Sequence, residues 1–328
     1  MEIAEFTPDD VATVSEVVEL ANAVGKVDSP WVHPDTAARY AMMMRHGWDG
    51  EPPRCFAARD RGRLVGAAEL SVSEWDNTHL AWAGLSVHPD ERRRGHGSAL
   101  FGFLTEEATR VGRRSIGLDG WESPATLGFA ARHRLPQRSA AINRRQHLDE
   151  VTRETLDRLY DDARAAASSY DLVGISGPTP PDLLDAVAGM TVAINDAPTD
   201  DLDIEDEVFP VERIVAYERA QQAQGHRMYR LLARHRDTGE LAGHTVVVVE
   251  AERPTIGDQH DTSVVRAHRG HRLGMLLKAG MLRWLLDEEP QLETVYTWNA
   301  ESNDHMIDVN DKLGYRVMGR ALQFQRDI

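Results

Sequence analysis

The sequence predicts an α/β protein made of two similar halves, and three observations support this fold class. The chain has 328 residues, more than a single hydrophobic core usually serves. Strand and helix patterns follow one another in the same order twice along the chain. The segment VHPDERRRGHG at 87–97 returns as VVRAHRGHRLG at 264–274, and the two copies align without a gap. Because the copies are separated by roughly half of the chain, we infer a domain duplication rather than a solenoid, whose repeats span about 20–50 residues.

Apolar periodicity assigns the elements of the first half. Apolar side chains three and four residues apart predict helices, and alternation between turn residues predicts strands. The predicted strands are EIAEF near the N-terminus, a hairpin over 53–72 that turns at Asp60–Gly62, and the segments 78–87, 114–120 and 137–148. The predicted helices are 11–24, 97–112 and 123–134. The repeated loop therefore lies between a strand and a helix.

The second half repeats this order. Predicted helices cover 180–195 and 210–224, each with a proline at its entry, and then 273–288 and 302–314. Predicted strands form a hairpin over 226–252 that turns at Asp237–Gly239, followed by 261–265 and 293–299. Between the halves, 152–169 is predicted to be a linker helix and GPTPP at 177–181 a break. We therefore expect an N-terminal domain 1–149, a linker helix and connector 150–179, and a C-terminal domain 180–328.

Composition excludes several classes of function. The net charge of −16 would repel nucleic acid and anionic membranes. The single cysteine, Cys55, excludes an internal disulfide and a thiolate metal cage, and no H-E-x-x-H pattern is present, so no metal site is predicted. The N-terminus MEIAEFTPDD lacks an apolar signal-peptide core, and TVVVV at 245–249 is too short to span a bilayer. We expect a cytoplasmic monomer or homodimer.

The repeated loop has the chemistry of an anion site. The unpaired N–H groups and the dipole at a helix N-terminus favour phosphate oxygens, and glycine lets the backbone approach them closely. Arginine side chains in both copies add charged donors. Neither copy contains the G-x-x-x-x-G-K-[ST] pattern of a P-loop, and the hairpin-rich strand order argues against a dinucleotide-binding fold.

The loop resembles the pyrophosphate loop of the GNAT acyltransferases, [R/Q]-x-x-G-x-[G/A] after a strand that ends V-x-P. In the first copy, Arg92, Gly95 and Gly97 match the pattern, and Val87 and Pro89 match the strand end. In the second copy, Arg269 and Gly274 match, but Arg272 stands at the first glycine. The segment TWNAESNDHMIDVNDKLGYR at 297–316 resembles the family's second motif, with matches at Asn303, Met306, Gly314 and Tyr315.

The resemblance implies two tandem GNAT-like domains, each a mixed, mainly antiparallel sheet flanked by helices. It implies acetyl-CoA as co-substrate, with the strand before each loop splaying from its neighbour at a bulge so that pantetheine adds to the edge. The implied binding residues of the first copy are Leu85, Val87, Arg92, Arg93, Gly95, His96, Gly97 and Ser98. Those of the second copy are Val264, Arg269, Gly270, Arg272, Leu273, Gly274, Asn299 and Asn303.

Candidate catalytic residues follow from the same resemblance. An amine that arrives as ammonium needs a base near the splayed strand. Asp261 is the candidate in the second copy, with His260 and His244 as alternatives, and Glu69 is the candidate in the first copy. The tyrosine that family members use to protonate the departing thiolate is replaced by Ala130 in the first copy and Asn310 in the second. Asn310 is therefore a third candidate, and Tyr296 or Tyr315 could take over the proton-donor role.

Several alternatives remain open at this level. The first function is direct acetyl transfer to a small-molecule amine in a ternary complex. The second is a degraded acyl-CoA-binding sensor or scaffold, and the third a module that binds polyphosphates or nucleotides. Arg272 either reaches the pyrophosphate or blocks the second loop. The segment 200–209 is predicted to be a solvated acidic loop. Four tryptophans either belong to the core or line an acceptor pocket, namely Trp31, Trp48, Trp75 and Trp82.

Overall fold

The computed structural model describes residues 1–328 and contains twelve strands and nine helices. The strands are β1 Glu2–Phe6, β2 Arg54–Asp60, β3 Arg63–Val72, β4 Leu80–Val87, β5 Ser115–Trp121, β6 Gln137–His147, β7 Tyr170–Ser176, β8 His226–His235, β9 Leu241–Glu250, β10 Ile256–Val264, β11 Thr294–Ala300 and β12 Arg316–Asp327. The helices are α1 Val11–Asp28, α2 Ala37–His46, α3 His96–Arg110, α4 Pro124–Arg132, α5 Arg153–Ala166, α6 Leu184–Thr191, α7 Val211–Ala223, α8 Leu273–Glu288 and α9 Asp304–Lys312. The predicted α/β class is confirmed, and α2 is a helix that periodicity did not identify.

The chain forms two compact units that are not contiguous in sequence. The first unit comprises 1–141, 199–206 and 319–328, and the second comprises 142–198 and 207–318. The sequence predicts contiguous domains, 1–149 and 180–328, instead. The difference arises because β12, at the C-terminus of the chain, completes the sheet of the first unit.

The sheet of the first unit has the strand order β1-β2-β3-β4-β5-β12. Neighbouring strands are antiparallel except for β4 and β5, which are parallel. Strand β12 pairs with β5 from Ala321↔Trp121 to Asp327↔Ser115. Helix α3 buries Leu100, Phe101 and Leu104 on one face of the sheet. Helix α1 buries Val14 and Val17, together with Met44 of α2, in a separate cluster.

The sheet of the second unit has the order β6-β11-β10-β9-β8-β7, with β10 and β11 parallel. The predicted linker helix corresponds to α5, which buries Leu156 and Ala163 in the same core as α8. The predicted connector contains β7, an edge strand that pairs antiparallel with β8. Residues 150–179 therefore contribute a helix and a strand to the packed second unit.

The acidic segment 200–209 is only partly the solvated loop that its charge predicts. It forms neither helix nor strand, but residues 200–206 belong to the first unit and their backbone is anchored there. Asn77 and Glu205 each donate a backbone N–H to the other's side-chain oxygen, at 3.1 and 2.7 Å. Asp203 donates its N–H to Oε1 of Gln325 at 2.7 Å. None of the helices is long and apolar enough to cross a membrane.

Candidate functional site

Strand β4 has an open edge where it leaves β5. The parallel pairing of the two strands runs from Leu80↔Ser115 to Ala83↔Leu118 and then stops, whereas β4 continues to Val87. Residues 84–87 remain paired with β3 but have no partner on the side of β5, and we call this side the open edge of β4. His88 donates its N–H to the carbonyl of Val65 in β3, so the alternation of an antiparallel ladder directs the backbone groups of Leu85 and Val87 toward the open edge. The splay occurs here without a bulge.

The loop after the open edge presents unpaired amides. Arg93 (φ 66°) and Gly95 (φ 90°) adopt left-handed conformations, and α3 begins at His96. The first helical hydrogen bond runs from the N–H of Ala99 to the carbonyl of Gly95 at 3.0 Å. The N–H groups of residues 95–98 donate to no protein acceptor, and these residues are partly or fully exposed. This helix end is therefore available to an anion.

The first arginine of the loop holds the loop in place. Arg92 donates Nε to the carbonyl of Val87 at 3.3 Å and both terminal nitrogens to Asp28 at 2.9 and 2.6 Å. Its planar guanidinium thus ties the loop to the end of α1 by a bidentate pair. In this arrangement Arg92 is a positioning residue. Ser98, also predicted to bind cofactor, forms a 2.9 Å hydrogen bond between its hydroxyl and Nε2 of His133.

We predict that Asp28→Asn weakens the attachment of the first loop to α1 without unfolding the protein. The pair is partly buried, with side-chain exposures of 27% for Arg92 and 31% for Asp28. Loss of one charge should therefore cost about 1 kcal/mol of unfolding free energy and raise the dissociation constant for CoA several-fold. Urea unfolding and calorimetric titration measure the two effects. Asp90→Asn, an exposed carboxylate in the same loop, is the matched control and should change neither quantity.

The second loop has left-handed backbone conformations at the same two positions as the first, but glycine and arginine have exchanged places. Left-handed residues stand at Gly270 (φ 87°) and Arg272 (φ 56°), which align with Arg93 and Gly95 of the first copy. Each copy thus places one glycine and one arginine at the two left-handed positions. Arg269 holds the second loop in place as Arg92 holds the first. It donates Nε to the carbonyl of Val264 at 3.2 Å and Nη2 to Asp196 at 2.7 Å.

The helix N-terminus of the second unit differs in accessibility. Leu273, Gly274 and Met275 are buried, whereas the equivalent residues of the first unit are half-buried. A side chain at Gly274 would lie 3.9 Å from Nε2 of His305, and one at Gly97 would lie 3.4 Å from the ring of Phe129, so a neighbouring helix approaches this position in both units. The second loop therefore has the backbone of an anion site, but the residues at its helix end are less exposed.

Glu69 lies beside the open edge of β4. It faces Gly84 across the β3–β4 ladder, and its carboxylate occupies the space a side chain at Gly84 would fill, with Oε1 2.7 Å from the ideal Cβ position. Burial, and secondarily the charge of Asp119, raises the pKa of Glu69. The carboxylate has no hydrogen bond or ion pair. A carboxylate with these properties can accept a proton from an amine at the open edge.

Asp261 and His260 occupy a bulge in the second unit. The β9–β10 register shifts between Gln259 and Thr262, and the pairing of β10 with β11 ends at Gln259↔Thr297. Burial raises the pKa of Asp261, opposed by the charges of nearby arginines. Burial lowers the pKa of His260 to about 3, so this ring is neutral, and its Nδ1 lies 2.5 Å from the hydroxyl of Tyr217.

His244 takes part in a buried polar network. Its Nδ1 lies 3.1 Å from Nη1 of Arg230, whose Nη2 donates to Glu218 at 3.1 Å. Burial, together with the charge of Arg230, lowers the pKa of His244 to about 3. The structure therefore gathers Asp261 and both alternative histidines in the second unit, and Glu69 lies in the first unit.

The second motif of the C-terminal half is part of the core. Asn310, predicted among the catalytic residues, is instead fully buried: it accepts from Nζ of Lys278 at 2.6 Å and donates to Asn299 at 3.3 Å. Asn303 caps α9 by accepting the N–H of Met306 at 3.2 Å. The Lys278 ammonium lies 4.6 Å from the ring centre of Tyr315. These contacts are those of a helix cap and a packed interior.

Both alternative proton donors pack against cations. Burial raises the pKa of Tyr296 to about 12, and the guanidinium of Arg145 lies 4.3 Å from its ring centre. Burial also raises the pKa of Tyr315. In the first unit, Ala130 is buried at the position of the family tyrosine. Neither half therefore presents a tyrosine at the expected position.

Several residues of the site gave no sequence signal. Asp28 and Asp196 hold equivalent arginines, but the segments around them do not align when the two loops are superposed in sequence. Asp119 accepts the indole N–H of Trp82 at 3.0 Å, a contact between two strands that spacing along the chain does not reveal. Lys278 has a sequence signal, because it is the one charged residue in the apolar first ten residues of α8, LGMLLKAGML.

Comparisons with known proteins agree with this geometry. Residues 22–132 match the model of the acetyltransferase (GNAT) family. A mycothiol acetyltransferase from Stackebrandtia nassauensis is 32% identical over 147 residues, which is 43% of this chain and 45% of the relative. The matched segment thus spans less than half of that relative.

Solved structures match over the whole chain. A tandem GNAT protein from the clavulanic acid biosynthesis pathway superposes with a TM-score of 0.82 at 27% identity, covering 99% of this chain and 98% of that one. A GCN5-related N-acetyltransferase from Sphaerobacter thermophilus covers 99% and 95% with a TM-score of 0.68, and at 15% identity it supports the fold alone. Residues 22–132 therefore match the GNAT acetyltransferase family, and the chain as a whole has the fold of a tandem GNAT protein.

Proposed function

We propose that the protein is an acetyl-CoA-dependent N-acetyltransferase for a small-molecule amine, with its acetyl-CoA site in the first unit. One observation carries this proposal: the open edge of β4 leads directly into the loop with the unpaired amides of residues 95–98, and the carboxylate of Glu69 lies beside that edge on the neighbouring strand β3. The family model supports the same half of the chain, since it matches 22–132.

Each part has a separate task in the transfer. The amides at the start of α3 bind the pyrophosphate of CoA. The pantetheine arm pairs with the open edge, and the outward N–H of Leu85 stabilises the oxyanion that forms on the thioester carbonyl. Glu69 accepts a proton from the ammonium group, and the free amine attacks the carbonyl. The C–N bond forms, the C–S bond breaks, and the thiolate takes its proton from water or from the amine because Ala130 offers none.

The second unit is proposed to bind no CoA with comparable affinity. The burial of residues 273–275 at the start of α8 is the reason, although the second loop has the same left-handed positions as the first. A titration should therefore yield one CoA per chain.

The missing tyrosines favour a second candidate function, an acyl-CoA-binding sensor that does not turn over acetyl-CoA. Release of free CoA from acetyl-CoA in the presence of an amine panel separates the two functions.

A matched pair of substitutions at Ser98 tests the location of the site. Ser98 is the third residue of α3, where a carboxylate is compatible with the helix dipole, so Ser98→Asp should fold normally. The new charge would stand beside the pyrophosphate and should weaken CoA binding at least about 30-fold, corresponding to about 2 kcal/mol of repulsion. Ser98→Asn has the same shape without the charge and should retain binding. Equal affinities of the two variants for CoA would contradict the proposed site.

A further inference from the structure

The sheet face that carries Glu69 also carries tryptophan side chains and a second carboxylate. Residues directly opposite each other in neighbouring strands share a face. Glu69 of β3 is opposite Gly84 of β4. Trp82, two residues before Gly84 on β4, is opposite Ser71 of β3 on one side and Gly117 of β5 on the other. Asp119, two residues beyond Gly117, therefore lies on the same face as Glu69 and Trp82.

Trp82 and Asp119 hold each other in position. The indole of Trp82 covers the backbone of Gly117 so closely that a side chain there would overlap the ring. Its Nε1 donates to Oδ1 of Asp119 at 3.0 Å. Trp82 is half-buried and Asp119 is exposed, so the ring and the carboxylate both remain accessible.

Two further tryptophans meet farther along this face. Trp121 follows Asp119 by two residues on β5, and Trp31 reaches it from the segment between α1 and α2. Their ring centres are 5.2 Å apart in an edge-to-face arrangement, and both rings lie against Gly319 of β12. Tyr40 of α2 lies near Glu69, and burial, with smaller contributions from nearby groups that include Glu69, raises the pKa of the tyrosine. The set Trp31, Tyr40, Glu69, Trp82, Asp119 and Trp121 is called the acceptor face below.

The charge of the acceptor face has no counterion from the protein. Glu69 forms no ion pair, and Asp119 accepts only the neutral indole N–H of Trp82. The two carboxylates repel each other, which is why Asp119 contributes to the raised pKa of Glu69. Two carboxylates among tryptophan rings form an environment that attracts organic cations, through ion pairing and through the negative faces of the rings.

We infer that the acceptor face binds a dicationic aliphatic amine, one ammonium group of which lies at Glu69 and the other between Asp119 and the ring of Trp82. The alkyl chain between the two cations lies against the tryptophan rings. That the ammonium at Glu69 is the group acetylated rests on the proposed function. Binding of the dication does not, because the acceptor face would hold it without acetyl-CoA.

The experiment compares ligands that differ in one end group, using the whole protein. Binding of putrescine, butylamine and γ-aminobutyrate is measured by calorimetry and by tryptophan fluorescence, without acetyl-CoA. Putrescine should bind at least about 10-fold more tightly than butylamine, because the second cation adds about 1–2 kcal/mol beside Asp119 and Trp82. γ-Aminobutyrate, whose carboxylate would meet Asp119, should bind most weakly. Equal affinity for putrescine and butylamine, or tighter binding of γ-aminobutyrate, would overturn the inference.

Two variants locate the second cation. Asp119→Asn retains the shape of the side chain and should reduce the preference for putrescine over butylamine to about twofold, while the affinity for butylamine stays the same. Ser71→Ala, a side chain on the same face, is the matched control. An unchanged preference in Asp119→Asn would refute the placement. The CoA affinity of the wild-type protein, measured in parallel, separates this inference from the proposed function. Normal CoA binding without putrescine binding contradicts only the inference. Putrescine binding without CoA binding contradicts only the proposed function.

Discussion

Replacing Glu69 by glutamine should lower the turnover number at neutral pH by about two to three orders of magnitude, the usual effect of removing a general base. The amide cannot accept the proton of the ammonium group, but it fills the same space above Gly84. Acetyl-CoA binding should therefore remain within about twofold of the wild-type value. Release of free CoA measures turnover, and calorimetric titration measures binding.

The raised pKa of Glu69 also predicts how turnover depends on pH. Because burial and the charge of Asp119 raise the pKa of Glu69, the carboxylate remains protonated to a higher pH than an ordinary glutamate. Turnover should therefore increase with pH through this raised pKa, and the corresponding rise should be absent in Glu69→Gln. A profile of identical shape in the two proteins would exclude Glu69 as the base.

Asp261→Asn serves as the matched variant in the second unit. Its carboxylate also has a pKa raised by burial and lies at the end of an equivalent parallel strand pair. If transfer takes place in the first unit, this variant should retain turnover within about threefold. Turnover that is lost in Asp261→Asn and retained in Glu69→Gln would move the reaction to the second unit.

The second large effect is expected for stability. Lys278 is 3% exposed, and burial, aided by the charge of Arg144, lowers its pKa to about 7. An unfolded chain binds this proton up to the ordinary lysine pKa, so the unfolded state holds more protons between the two values. The wild-type protein should therefore gain about 2 kcal/mol of unfolding free energy from this group between about pH 7 and about pH 9.

Lys278→Met should abolish this gain. Methionine matches the length of the side chain, removes the buried charge and should stabilise the protein at neutral pH by about 1–3 kcal/mol, less the cost of leaving Oδ1 of Asn310 without a donor. Urea unfolding over the pH range measures both effects. The exposed Lys312, paired with Asp308, provides the control, and Lys312→Met should retain the wild-type pH dependence. A persistent pH dependence in Lys278→Met would assign it to another group.

The position of the repeated loop could be predicted from the sequence, but its backbone conformation could not. The ungapped alignment of the two copies correctly placed both loops between a strand and a helix, because the pattern of apolar strand, basic loop and apolar helix is local. Arg272 departs from the family pattern when its own position alone is compared, and this left open whether it reaches the pyrophosphate or blocks the loop. The structure shows two left-handed positions per loop, each pair served by one glycine and one arginine. Backbone conformation, rather than residue identity, is what the two copies share.

The sequence by itself determined the α/β class, the duplication and the position of both loops between a strand and a helix, since these depend on periodicity and on residues close together in the chain. Only the tertiary structure decided which loop is accessible, because burial of the α8 terminus depends on elements distant in sequence. It also decided that β12 completes the first sheet and that Glu69, Trp82 and Asp119 share one face. Strand pairing sets these proximities, and partners as distant along the chain as Ser115 and Asp327 have no local signature of their pairing.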